Sequence, residues 1–177
     1  MSADGHTWLL GPEGFGVAVI RKRHLETLRC GNVGWNSVRN TFNYAEPELN
    51  LRNSAARFEP GSANMAAAAA LGASVAMFAA VRKVHGPDAI AERVLTLAAE
   101  LDERLGAVGI STRLPPEHEH RSGIVTFDVP GQDPIAVRKR AIKNDCVVSC
   151  RGGGIRAGIH AYNDGSDLER LVNAVAN

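Results

Sequence analysis

The spacing of apolar positions changes along the chain, and each change marks a different kind of element. "GVAVIR", residues 16–21, is a short β-branched run after a glycine-rich turn and predicts a buried strand. Residues 22–57 hold no period: asparagines and glycines are scattered among single aromatics, Trp35, Phe42 and Tyr44. So long an irregular excursion is uncommon in an ordinary domain and predicts a functional or interface-forming segment. A turn, a capping Ser62 and an alanine-rich run then predict a long helix ending at Gly86. Pro87, at the first helical position, opens a second helix to about residue 105. Its apolar stripe is Ile90, Val94, Leu97, Leu101 and Leu105.

Beyond that helix, short strands alternate with helices. "ISTRL" (110–114) predicts a strand, "PPEHEHR" (115–121) a charged loop, and "SGIVTFDV" (122–129) a second strand. Residues 134–143 predict a helix. "CVVSCR" (146–151) and "IRAGIHAY" (155–162) predict two hairpin strands across a turn of Gly152, Gly153 and Gly154. A final helix follows Asp164. Residues 87–177 thus read as an α+β layer with helices on one face, and residues 1–86 as a region that begins inside another fold.

Composition narrows the class. With 45% hydrophobic and 22% charged residues in 177, the chain is globular. A net charge of +1 argues against a dedicated nucleic-acid surface. Three cysteines without a CxxC pair argue against a disulfide framework. The alanine-rich stretch 66–80 reads as too short and too weakly apolar to cross a bilayer, and no basic-then-apolar leader precedes a cleavage site. The expectation is a cytoplasmic protein that meets neither nucleic acid nor membrane.

Several residues could carry chemistry. His6 taken alone reads as structural. Ser62 is an N-cap or, at an open helix N-terminus, an anion contact. His118, Glu119 and His120 lie in a proline- and glutamate-rich loop without a third partner, so a solvated loop is expected and no metal. Cys146 and Cys150, four apart on a predicted strand, share a face and read as packing. Arg156 interrupts an apolar strand. Its guanidinium needs a carboxylate there, and the sequence leaves open whether the protein or a ligand provides it.

Four segments, "SADGHTWLLGPEGFGVAVIRK", "GWNSV" with "RFEPGSANMAA", "SGIVTF" and "IRAGIHAYNDGSDLERLV", together resemble the C-terminal half of class V aminotransferases. These are fold-type-I pyridoxal-phosphate (PLP) enzymes that include the NifS-like cysteine desulfurases and isopenicillin N epimerase-like proteins. The resemblance spans essentially the whole chain and implies an α/β fold. Residues 1–86 would be the end of the PLP-binding large domain with its long linking helix. Residues 87–177 would be the α+β small domain with an antiparallel sheet. It also implies PLP-dependent chemistry on the amino or sulfur group of an amino-acid substrate, in a homodimer whose active sites form between subunits. By the same resemblance, Thr7 stands where the family has its Schiff-base lysine, and His6 beside the cofactor phosphate. Ser62 matches a small hydroxyl residue that reaches the partner's phosphate, and Arg156 the arginine that grips the substrate α-carboxylate.

Thr7 is the departure with chemical consequence. Only a primary amine condenses with the PLP aldehyde and then shuttles the substrate's α-proton, so covalent PLP binding is not expected. The family's N-terminal half, which holds the aspartate for the pyridine nitrogen, the stacking aromatic and most of the phosphate cup, does not precede Met1 in this sequence. The chain by itself is therefore expected to be inactive. The alternatives are a non-catalytic homodimeric scaffold or interaction module derived from that fold, or a piece of a longer gene product. Cys150 sits beside Arg151 and a three-glycine turn without the longer desulfurase loop. "RGGGIRAGIHAYN" looks closer to the epimerase-like and general aminotransferase members. Asp164 stands in place of the family's usual threonine and can still cap the last helix.

Overall fold

The computed structural model describes residues 1–46 and 48–176. Its chain divides into two units, Met1–Ala80 and Val81–Asn177, the boundary falling inside a long helix.

In the first unit, β1 (Ser2–Asp4) pairs antiparallel with β2 (Gly16–Ala18), Asp4 opposite Gly16. This corrects the buried strand expected over residues 16–21: the strand is three residues long and exposed throughout. The sheet it joins is two-stranded, and such a ribbon has little apolar face to bury. The intervening loop folds back on itself, with the Gly5 N–H donating to the Phe15 carbonyl at 2.8 Å and the Gly11 N–H to the Gly5 carbonyl at 2.6 Å. A Cβ at Gly5 would lie 2.6 Å from the Phe15 oxygen, so this approach requires glycine. Leu10 is held at a φ of 53°, a left-handed conformation disfavoured for leucine. The Ser74 hydroxyl donates to its carbonyl at 2.9 Å.

The excursion is irregular, as its lack of period predicts, and consists of three-ten turns at Lys22–His24, Trp35–Ser37 and Ala55–Phe58 with one bridge, Val38↔Leu51. Arginines order it in place of an apolar core. Arg57 donates to the carbonyls of Arg52 (2.7 Å) and Leu25 (3.1 Å), and Arg52 donates to the Val38 carbonyl (3.2 Å) and Asn36 Oδ1 (2.8 Å).

α1 (Met65–His85) follows from its alanines, the strongest helix formers. Its cap is not Ser62. Asn64 Oδ1 accepts the Ala67 N–H at 3.1 Å, and the exposed Ser62 lies outside the helix. Gly86, at a φ of 102°, ends it. At 21 residues α1 is long and apolar enough to cross a bilayer by length and composition, which corrects the reading of its core as too short and too weakly apolar.

In the second unit, α2 (Ala89–Ala107) begins two residues after Pro87, with Asp88 as its N-cap residue. Val94, Leu97, Ala98, Leu101 and Leu105 are buried along its stripe. The sheet is antiparallel in the order β3 (Ile124–Phe127), β5 (Gly154–Gly158), β4 (Ser149–Arg151). Residues 110–114 contribute only a bridge, Thr112↔Phe127, because Pro115 and Pro116 have no N–H to extend a ladder. Residues 146–148 likewise lie outside the ladder. α3 (Pro134–Lys143) has its expected bounds: Pro134 is at its first position, and the Asp133 carboxylate accepts the N–H groups of Ile135 and Ala136. α4 (Gly165–Ala176) is capped by Asp164 as expected, whose Oδ1 accepts the N–H of Ser166 at 2.8 Å and of Asp167 at 3.2 Å. One cluster joins helix and sheet residues: Leu101, Leu105, Val125, Phe127, Val137, Ile155 and Val175. Burying each large side chain there contributes roughly 1.5–3 kcal/mol.

Candidate functional site

Side chains alternate along β5. Ile155 and Ala157 enter the cluster beneath the helices, which turns Arg156 to the opposite face of the sheet. Because β5 is central, Arg156 has a direct neighbour on each side, Thr126 on β3 and Ser149 on β4. A polar row thus crosses the sheet, and all three residues are half-buried. The Ser149 Oγ is fully buried and has no hydrogen-bond partner among the described residues.

The sequence left two partners open for Arg156, a carboxylate of the chain or one from a ligand. Among the described residues no carboxylate pairs with it. Asp128, just beyond β3, sets its carboxylate over Gly154 on the strand of Arg156: a Cβ there would lie 2.7 Å from Asp128 Oδ1. That carboxylate is already taken. Arg113 donates to Asp128 Oδ2 at 2.5 Å and to the Gly152 carbonyl at 3.0 Å. Other arginines of this unit are tied to the backbone, Arg93 to the Ala161 and Asn163 carbonyls, Arg138 to Val148, and Arg140 to Ala174 and Val175. Arg156 differs from all of these.

In the first unit, Thr7 and His6 lie together around Asp4 at the end of β1. The Thr7 hydroxyl donates to Asp4 Oδ1 at 2.5 Å, and His6 Nδ1 is 3.9 Å from the same oxygen. All three residues are exposed. Ser62 lies on a separate segment of the same unit, upstream of α1. Covalent attachment of an aldehyde cofactor does not fit this loop. Its candidate group is a hydroxyl engaged by a carboxylate, and the first lysine of the sequence is Lys22, beyond β2. His6 and Ser62 retain the chemistry for non-covalent phosphate contacts, an imidazole donor and a hydroxyl.

The remaining candidates take structural positions. His118–His120 forms an exposed three-ten turn. Cys146 is buried, and that burial raises its thiol above the ordinary value of 9.0 despite the opposing pull of Arg170. A thiol so placed is mostly protonated near neutrality and a poor nucleophile. The Cys150 Sγ donates to the Pro134 carbonyl at 3.4 Å and packs against the core. Sequence reasoning missed Asp4, the Arg113–Asp128 pair and Ser149. Only strand register could have marked Ser149, through its place opposite Arg156.

Comparison with known proteins agrees with this architecture. The family description "Aminotransferase class-V" matches residues 1–171. Among solved structures, the apo cysteine desulfurase from Thermococcus onnurineus NA1 superposes with a TM-score of 0.84 at 22% identity, over 99% of this chain and 45% of that one. The cystine C–S lyase C-DES, solved with its product cysteine persulfide, gives 0.84 at 20% identity over 98% of this chain and 45% of its own. The cysteine desulfurase CsdA from Escherichia coli gives 0.77 at 20% identity over 98% and 44%. At these identities the likeness establishes the fold, that of the fold-type-I PLP-dependent transferases, and the chain spans about 45% of the length of the structures it matches. No curated protein sequence matches the chain.

Proposed function

Since the chain belongs to the class V aminotransferase family, we propose that it keeps the family's amino-acid recognition through Arg156 while having given up covalent attachment of PLP. When bound, PLP supplies the electron sink for chemistry at an amino acid's α-carbon. The residues of this chain divide the remaining work. Arg156 grips the α-carboxylate, its planar fork matching two carboxylate oxygens where a lysine would offer a point charge. His6 and Ser62 contact a phosphate. Thr7 holds no transferable amine proton and is fastened to Asp4. The reading is carried by Arg156, a half-buried guanidinium in the middle of a sheet whose nearby carboxylate is occupied by Arg113.

A second reading has its own support, a non-catalytic homodimeric module in which the same fold serves assembly. Thr7 favours it. So does the apolar surface: Phe42, Tyr44 and Leu49 on the excursion are 80%, 72% and 77% exposed. α1 adds exposed Met65, Val75, Met77 and Val84, with only Ala67 and Leu71 of that helix buried. Patches of this kind mark interfaces. We assign α1 to such a contact in a cytoplasmic protein, a role its alanine-rich surface also suits.

Calorimetric titration with L-alanine, and with L-alaninamide as a probe lacking the carboxylate, tests the first reading. L-alanine should bind, the amide should not, and Arg156→Leu should abolish binding. Equal binding by wild type and Arg156→Leu would leave the module as the better account.

A further inference from the structure

Taking the carboxylate grip of Arg156 as its premise, we infer that Ser149 is the second donor of that site, closing on the carboxylate from the neighbouring strand. Ser149 and Arg156 are direct partners across the β4–β5 ladder, so their side chains share one sheet face. Among the described residues the guanidinium on that face lacks a carboxylate, and the hydroxyl is buried with no hydrogen-bond partner.

These two facts explain each other. A buried hydroxyl without a hydrogen bond is costly, and native structures keep few of them. A packing serine would have been replaced by alanine without penalty, and a structural one would be bonded, as the hydroxyls of Thr112 and Ser166 are to Asp102 and Asp164. A carboxylate docked on Arg156 has lone pairs that the guanidinium fork leaves open. The Ser149 O–H can donate to one of them. A χ1 rotation that turned the hydroxyl toward it would break no hydrogen bond to the described residues, since the hydroxyl makes none in its present position. The ligand class is a monocarboxylate bearing an α-amino group, and Ser149 acts as a binding residue with no proton to transfer in any chemical step.

The test extends the L-alanine titration to two further variants. Ser149→Ala should bind L-alanine roughly tenfold more weakly, the loss expected for one hydrogen bond to a charged group. Ser149→Thr, which restores the hydroxyl, should stay within about threefold of wild type. In the absence of ligand, Ser149→Ala should unfold at a temperature no lower than wild type, because it removes an unsatisfied hydroxyl. Unchanged affinity in Ser149→Ala, with binding still lost in Arg156→Leu, would overturn the role of Ser149 and leave the grip of Arg156 standing. A clearly lowered unfolding temperature for Ser149→Ala would also overturn it, since the hydroxyl would then be structural. Wild-type protein showing no saturable binding of L-alanine would remove both.

Discussion

Arg113 decides what Arg156 can do. By holding Asp128 it keeps the carboxylate that lies over Gly154 from turning toward Arg156 and closing the site from within. Arg113→Ala should therefore release Asp128 toward Arg156 and weaken L-alanine binding several-fold, and adding Asp128→Asn should restore it. A double-mutant cycle without that restoration would contradict the arrangement. Arg156→Leu itself should change unfolding free energy by no more than about 0.5 kcal/mol, the usual range for a side chain with no essential contact. Breaking a buried ion pair would instead cost about 3–5 kcal/mol, so chemical denaturation separates a ligand-facing arginine from a structural one. At Thr7 the expectation concerns reactivity. After incubation with PLP and reduction with borohydride, peptide mapping should find no label in residues 4–16, a segment without lysine. A label there would overturn the reading of that loop.

At the scale of elements, what could be read from the sequence followed from how local each signal was. α3 and α4 were legible to their caps, because Asp133 with Pro134, and Asp164 after a strand, place cap and helix within a few residues of each other. β5 was legible as a strand, and Arg156 as its anomaly. The row around Arg156 was not. Which residues flank a central strand depends on register with segments about 30 residues upstream and seven residues before it, and no periodicity encodes that. The strand at residues 16–21 misled for the same reason, since β-branched residues report strand propensity and not whether the sheet has anything to cover it. Ser62 was mistaken for a cap that Asn64 provides. Asn64→Ala should thus cost about 1 kcal/mol and Ser62→Ala less than about 0.5 kcal/mol, measured by thermal unfolding. The cap of α4 carries a pH signature. The Ser166 hydroxyl, then the backbone N–H groups of Asp167 and Ser166, hold the Asp164 carboxyl below its ordinary value of 3.8. A depressed carboxylate stabilises the fold above its unfolded pKa and loses that contribution as pH falls through its folded one. The Tm deficit of Asp164→Ala relative to wild type should then be full at neutral pH and shrink below pH 3.8. A deficit unchanged in acid would show that the charge plays no part.

For the whole molecule, the open question is what meets the apolar surface of α1 and the excursion. A homodimer is the expectation. Sedimentation velocity at increasing concentration should show a dimer, and substituting Met77 and Phe42 with charged residues should shift it toward monomer. A monodisperse monomer in the wild type would leave those side chains unexplained. Partition of the chain into bilayers instead would assign α1 to the membrane that its length permits.

The strand order β3–β5–β4 also bears on how the protein is made. The middle strand of the second unit is the last of the three to leave the ribosome, and α4, which seals the same core, follows it. Until residue 158 has emerged, β3 and β4 have no ladder between them, and the stripes that α2 and α3 bury in the finished fold lack that cover. Synthesis thus passes through a stretch in which more than half of the buried cluster of this unit exists without its central strand or closing helix, the condition under which nascent chains aggregate or recruit chaperones.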